Sequence, residues 1–220
     1  MCFSKELSIF STFLVYSAVI YSILNNYHKN KYFLFVMLFY LLTSGITQPL
    51  EGLIHFIYEK EKSNKSALFI NTETLIWFSI LLQPLIVMLL FIILKLNPSN
   101  NKYVIGLNII FYMYTLFVYN DIRLKIKSKN ESGYTKILWT NIQKNNYLWT
   151  GLEILAFWSP IIFSLSKSIH MKILFIAQFI QIVSANILFN DGNHYAGSLW
   201  CFFASFGLWI QIIAKKLLEI

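Results

Sequence analysis

Long apolar stretches separated by short polar segments run along the whole chain. A membrane-spanning helix needs about 20 predominantly apolar residues, and seven stretches approach or exceed that length. Because a bilayer offers no water to satisfy backbone groups, each stretch is expected to be helical. The predicted spans are Leu7–Leu24, Tyr32–Tyr58, Thr74–Leu94, Tyr103–Tyr119, Leu148–Ser166, Ile173–Asn190 and Ala196–Ala214.

Composition supports this interpretation. Of the 220 residues, 57% are hydrophobic and only 13% are charged, whereas soluble domains carry about 25% charged residues. None of the polar segments is long enough to build a separate core. The sequence therefore predicts an all-α polytopic membrane protein, a seven-helix bundle in which residues 1–220 form a single transmembrane domain.

The segment between the fourth and fifth spans, Asn120–Tyr147, has a different pattern. Its sequence "DIRLKIK" alternates apolar and basic residues, "SKNESG" is typical of a turn, and "YTKILW" resembles a returning strand. Alternation followed by a turn and a second strand-like run predicts a small β-hairpin in this loop.

Lysine distribution bears on orientation. With seven spans, the N-terminus shares a side, here called the N-terminal side, with the loops after the even-numbered spans. Both N-x-S/T sequons, at Asn64 and Asn130, fall there. Apart from the predicted hairpin, the opposite side is richer in lysine, and lysine-rich loops tend to stay in the cytoplasm. We therefore expect the N-terminus outside and the C-terminus in the cytoplasm.

Polar residues interrupt the second span at regular intervals. Ser44, Gln48, Glu51 and His55 are spaced i, i+4, i+7 and i+11, which places them on one stripe of a helix. A charged side chain inside a bilayer costs about 2.5 kcal/mol or more. Glu51 is therefore expected to face neighbouring helices rather than lipid.

Gln-Pro pairs occur inside the second and third spans, at Gln48-Pro49 and Gln83-Pro84. Proline has no amide hydrogen, so Pro49 leaves the carbonyl of Gly45 without its helical partner and is expected to bend the helix. Bent helices and polar residues together predict a cavity that opens to the N-terminal side. Its predicted lining is Gln48, Glu51, His55, Gln83, Glu153, Trp200 and Cys201.

Each of these residues also has a structural interpretation. Glu51 would fix helix packing if it bonded Trp200 or Ser198 of the seventh span, and Glu153 is typical of a solvated acid near the interface. A disulfide between Cys2 and Cys201 requires Cα atoms within about 7 Å and an oxidising compartment, and we favour two free thiols. We expect no metal site, because the sequence has no compact ligand spacing such as CxxC or HExxH.

Three motifs carry a resemblance: the opening "MCFS", "QPLEG" in the second span and "SLWCFFA" in the seventh. Together they resemble a family of uncharacterised seven-span membrane proteins found in bacteria and some large DNA viruses. The corresponding positions include Cys2, Gln48, Glu51, Trp200 and Cys201, and the chain departs from the family pattern at Lys5, Leu7 and His55. The resemblance implies no activity.

Two functional classes remain open. The first is a non-enzymatic protein whose cavity binds or transports a small solute, a lipid or a proton. The second is an intramembrane enzyme, a lipid hydrolase or transferase, that uses Glu51 and His55 as acid and base, with His194 or Asp191 nearby. A receptor or scaffold would make use of the hairpin loop.

Several classes are disfavoured by the sequence. It has no glycine-rich phosphate-binding loop and no nucleophile elbow, and no cofactor is expected. The net charge of +8 lies on loops, where lysines meet anionic headgroups, so the expected partner is the lipid bilayer rather than nucleic acid.

Overall fold

The structure, a computed structural model, describes residues 5–61, 66–122, 124–131, 134–141, 147–188 and 196–218. Within these ranges the backbone forms eight α-helices and two strands. The elements are α1 (Lys5–Leu24), α2 (Lys31–Leu42), α3 (Ser44–Glu61), α4 (Ala67–Ile93), α5 (Asn101–Ile122), β1 (Leu124–Glu131), β2 (Tyr134–Asn141), α6 (Tyr147–Ile162), α7 (Ile169–Leu188) and α8 (Ala196–Leu218).

Among the described residues, three helical segments are long and apolar enough to cross a membrane. They are Lys5–Leu24, Lys31–Glu61 and Ala67–Ile93, judged by length and composition. They overlap the first three predicted spans, Leu7–Leu24, Tyr32–Tyr58 and Thr74–Leu94. Helices α5 to α8 occupy the positions of the other four.

The second predicted span is two helices, α2 and α3, which meet at Thr43. The side chains of Thr43 and Thr47 donate to the carbonyls four residues earlier, at 2.6 and 2.8 Å. Such back-bonding bends helices, and the ring of Pro49 also crowds the carbonyl of Gly45. The interruption therefore lies about one and a half turns before the proline.

Helix α4 begins earlier than the predicted span, at Ala67 rather than Thr74. The Ser66 side chain caps its first turn by accepting from the amide of Phe69 at 3.2 Å. Further along, Thr72 and Thr74 each donate a side-chain hydrogen bond to a carbonyl one turn earlier. The hydroxyls are satisfied by the helix itself, so these polar residues do not end it.

The core is formed mainly by α2, which is buried among α1, α4, α7 and α8. Phe33, Phe35, Phe39 and Tyr40 of α2 are all buried. Tyr40 packs so closely on α8 that a side chain at Gly207 would overlap its ring and hydroxyl. A glycine at that position is what lets the aromatic ring lie against the α8 backbone.

Strands β1 and β2 pair antiparallel between α5 and α6. Their register runs from Leu124 opposite Asn141 to Glu131 opposite Tyr134. Residues 132–133, which join them, lie outside the described part of the chain.

Candidate functional site

The polar stripe of α3 faces the interior. Gln48, Glu51 and His55 are 0%, 1% and 3% exposed, respectively. Ile46 and Leu53 on another face of the same helix are 40% and 42% exposed. The helix therefore turns its polar residues towards neighbouring helices and its apolar residues outward, as expected from the cost of placing a charge in lipid.

A side-chain contact joins the two Gln-Pro segments. Gln83 of α4, which is also buried, donates through Nε2 to the Thr47 hydroxyl of α3 at 3.4 Å. Thr47 precedes Gln48-Pro49 by one residue, and Gln83 directly precedes Pro84. The two proline-containing segments therefore lie side by side, and two of the predicted lining residues, Gln48 and Gln83, belong to one region.

The carbonyl that Pro49 leaves without a helical partner finds one on α1. The Tyr16 hydroxyl donates to the carbonyl of Gly45 at 3.4 Å. This distance is at the long limit for a hydrogen bond, so the contact is weak. Ser8 and Ser11 on the same helix are fully buried, and their hydroxyls bond no other described residue.

Pro84 has a closer partner on α5. The Tyr112 hydroxyl donates to the carbonyl of Leu81 at 2.8 Å and accepts from the amide of Leu85 at 3.1 Å. The hydroxyl thus bridges the two backbone groups that pair across one helical turn. Glu153 of α6 is half-buried rather than solvated.

Pro160 in α6 is compensated in the same way. It removes the amide that would bond the carbonyl of Ala156. Asn108 of α5 donates to this carbonyl at 3.4 Å, and Ser159 donates to it at 3.2 Å. At Pro49 and Pro160 a neighbouring side chain therefore bonds the carbonyl that the proline leaves without a partner. At Pro84 the neighbouring side chain bonds the next carbonyl, that of Leu81.

Buried polar groups continue from the α3 stripe along α2. The Tyr40 hydroxyl, three residues before Thr43, accepts from Nε2 of Gln178 in α7 at 3.2 Å. Both side chains are fully buried. Beyond this pair, Gln211 of α8 donates to the backbone carbonyl of His170, where α7 begins, at 3.0 Å. Polar side chains thus extend from the N-terminal side towards the opposite end of the helices.

Some predicted site residues cannot be placed. Trp200 and Cys201 belong to α8, but their side chains lie outside what the structure describes, and Cys2, Asp191 and His194 lie outside the described residues. The proposed disulfide is therefore not placed. Within the described residues, no group of three or more His, Cys, Asp and Glu side chains is arranged to hold a metal ion.

Three tyrosines belong to the site although the sequence did not identify them: Tyr16, Tyr40 and Tyr112. Tyrosines in membrane proteins are usually assigned to the interfacial belts. Tyr112 lies at the middle of α5 and Tyr40 well inside its span, so neither fits a belt. Their distance from the ends of the predicted spans is the feature of the sequence that could have identified Tyr40 and Tyr112.

Comparisons with known proteins give no further guidance, since no family model, curated protein or solved structure matches the chain. The resemblance carried by Cys2, Glu51 and Trp200 therefore stays a prediction. The function has to be inferred from the side chains themselves.

Proposed function

We propose that the chain is a seven-span membrane protein whose buried polar interior, open to the N-terminal side, binds or transports a small solute, a lipid or a proton. The observation that carries this proposal is the burial of Gln48, Glu51 and His55 on one stripe of a bent helix. An interior acid in a membrane protein is by default a functional group. The predicted β-hairpin would lie outside the membrane.

Outward-facing apolar residues support seven spans. Phe117 of α5, Leu155 of α6, Phe179 of α7 and Ile213 of α8 are between 50% and 87% exposed. Large apolar side chains exposed on every one of these helices are costly in water and favourable in lipid. Helices α5 to α8 are therefore proposed to cross the membrane alongside the three longer segments.

The buried polar groups from His55 on α3 to Tyr40 on α2 form a row, and the length of this row supports transport over simple packing. Tyr40 and His55 are 15 residues apart, which corresponds to roughly 22 Å along a helix. The hydrogen bond from Gln178 to Tyr40 extends this row to α7. Since a hydrocarbon core is about 30 Å thick, these groups cover most of the distance that a solute or proton would travel.

Lysine placement supports an orientation. On the N-terminal side, Lys5 forms an ion pair with Glu59 at 2.7 Å, while the described residues at the opposite end carry lysine without acid. Cytoplasmic loops are enriched in lysine and arginine. The N-terminus is proposed to lie outside and the C-terminus in the cytoplasm.

Glu51→Gln tests the proposal. In purified protein, we expect ligands from a metabolite and lipid panel to raise the melting temperature of the wild type, and proton-coupled ligands to do so in a pH-dependent way. Glu51→Gln should lose the ligand shift or its pH dependence. Glu61→Gln, which changes an exposed acid at the end of the same helix, is the matched control. The same behaviour in all three proteins, or no ligand shift at all, would contradict the proposal.

Intramembrane catalysis is a second candidate because Glu51 and His55, an acid and a base, are buried one turn apart on the same face. An enzyme would release a product from a lipid substrate in detergent solution. A transporter would leave the covalent structure of its substrate unchanged in the same assay. His55→Asn and Glu51→Gln should each abolish product formation while ligand binding persists. Turnover unchanged in both variants would exclude this pair as acid and base.

A further inference from the structure

One end of the packed helices is rich in lysine. At this end α1, α4, α6 and α8 end, and α2, α5 and α7 begin. Side chains connect these segments; for example, Lys31 donates a hydrogen bond to the carbonyl of Lys95 at 2.9 Å. No described residue at this end is acidic, and Glu219 lies outside the described residues. We call this region the lysine end; its lysines are Lys29, Lys31, Lys95, Lys102, Lys167, Lys172, Lys215 and Lys216.

Four of these lysines lie over tyrosine rings. Lys31 and Lys102 lie over the ring of the next residue in the sequence, whereas Lys215 and Lys216 lie over rings from a distant part of the chain. The ammonium of Lys215 is 5.2 Å from the centroid of the Tyr27 ring, and that of Lys216 is 5.0 Å from the Tyr21 ring. The two rings are 6.2 Å apart. We call Tyr21, Tyr27, Lys215 and Lys216 the tyrosine–lysine cluster. The hydrogen bond with the Tyr21 hydroxyl raises the pKa of Lys216.

The cluster is built on buried aromatic packing. Tyr21 contacts Trp209 with ring centroids 5.6 Å apart, and Tyr27 contacts Phe33 at 5.3 Å. Phe33 is fully buried and meets the ring of His170 edge-on at 5.4 Å. Because the tyrosines are fixed, the ammonium groups above them lose less conformational freedom when they bind a ligand.

Apolar side chains stand beside this cationic cluster. Leu24, one turn after Tyr21 on α1, is 75% exposed, and Leu217, next to Lys216 on α8, is 76% exposed. The surface therefore offers ammonium and hydroxyl groups next to unpartnered aliphatic groups. A soluble anion would use only the polar half of this surface, whereas a phospholipid would use both halves.

We propose that the tyrosine–lysine cluster binds the phosphate of an anionic phospholipid in the leaflet at the lysine end, with the acyl chains along Leu24 and Leu217. Ammonium and phenol groups both donate hydrogen bonds to phosphate oxygens. Lysine near an anionic membrane surface contributes about fivefold in affinity per residue. This site is separate from the polar interior and does not depend on the proposed transport.

Lipid titration of the purified full-length chain in detergent tests the site. Phosphatidylglycerol should raise the melting temperature and remain bound in native mass spectra, and phosphatidylcholine with the same acyl chains should do so only weakly. The double variant Lys215→Gln/Lys216→Gln should weaken apparent phosphatidylglycerol affinity by roughly tenfold or more. The double variant Lys167→Gln/Lys172→Gln removes the same charge from two exposed lysines at the same end, and its loss of affinity should be at least threefold smaller.

Other outcomes would overturn the proposal. Equal losses in the two double variants would mean that only the summed charge of the lysine end matters. Equal stabilisation by inorganic phosphate would assign the cluster to a soluble anion instead of a lipid. If the first double variant unfolds, Tyr21→Phe/Tyr27→Phe replaces it, because it keeps both rings and removes both hydroxyls. That variant should bind phosphatidylglycerol at least threefold more weakly, and wild-type affinity in it would exclude the hydroxyls.

Discussion

The two Gln-Pro segments share a sequence but not a structure. At Pro49 the nearby α3 carbonyl of Gly45 receives one long contact of 3.4 Å from Tyr16, whose side chain is 43% exposed. At Pro84 the Tyr112 hydroxyl makes two shorter hydrogen bonds with the α4 backbone, at 2.8 and 3.1 Å. The helix backbone beside the same dipeptide is therefore loosely held in α3 and closely held in α4.

This difference shows that a proline bend is defined by the residues around it. Proline only removes a donor and crowds a carbonyl. How firmly the helix is held there depends on which neighbouring side chains bond its backbone. The weakly held bend is also the one that carries Gln48, Glu51 and His55. The contact at Gly45 is longer than those at Leu81 and Leu85, so α4 is held more closely beside its proline than α3 is.

The largest effect is expected from Gly207→Ala, which pushes on α2 just before the loosely held bend. A methyl group there would overlap the ring and hydroxyl of Tyr40 and break its bond with Gln178. Overpacking and the lost hydrogen bond together should lower the free energy of unfolding by about 3 kcal/mol. Chemical or thermal unfolding in detergent measures the change.

The matched control is Gly106→Ala in α5, where an added methyl group meets no atom within 4 Å. It should be neutral or stabilise the protein by up to about 1 kcal/mol, since alanine favours helix. Equal losses in the two variants would show that Tyr40 does not lie against α8 as described.

Tyr112→Phe breaks the clamp in α4. The carbonyl of Leu81 and the amide of Leu85 would lose the hydroxyl that bridges them. Leaving interior backbone groups poorly satisfied should cost about 2 kcal/mol in the free energy of unfolding. Unfolding measured beside the wild type checks this, and a loss below about 0.5 kcal/mol would show that α4 closes its own hydrogen bonds at Pro84.

Coupling between the two bends is expected to be modest. The hydrogen bond from Gln83 to Thr47 joins them, and interhelical side-chain bonds in membrane proteins average about 0.6 kcal/mol. A double-mutant cycle with Thr47→Val and Gln83→Leu should return a coupling energy of that size. Strict additivity of the two variants would show that the bends are energetically independent.

Tyr16→Phe should have the smallest effect. The bond it removes is long and half-exposed, so a loss of about 0.5 kcal/mol or less is expected in the free energy of unfolding. Compared with Tyr112→Phe in the same assay, it tests the contrast between the bends directly. A loss in Tyr16→Phe as large as that in Tyr112→Phe would remove the contrast.

Helix positions were largely predictable because apolar length dominates the signal. The sequence predicted Leu7–Leu24, and α1 runs over Lys5–Leu24. Helix α4 begins at Ala67, seven residues before the predicted start at Thr74, and the hydroxyls of Thr72 and Thr74 bond the helix itself. Hydropathy registers such residues as polar and carries no information on where their hydrogen bonds go.

The site was predictable only in part. Burial of Glu51 followed from the cost of a charge in lipid, and its stripe followed from helical periodicity. The bend position did not, because the interruption at Thr43 depends on threonine back-bonding and on contacts from other helices. The side chains that bond the backbone near the prolines could not be predicted either. Tyr16, Tyr112 and Asn108 come from distant parts of the chain, and no spacing rule relates them to a proline.

The Tyr112 hydroxyl has a mechanical consequence. The Tyr112 hydroxyl bonds an amide and a carbonyl of the neighbouring helix α4. If it moved away, both groups would lose this partner, and a bilayer supplies no water to replace it. A displacement of α4 against α5 would break both hydrogen bonds, so we expect the two helices to move together at this point.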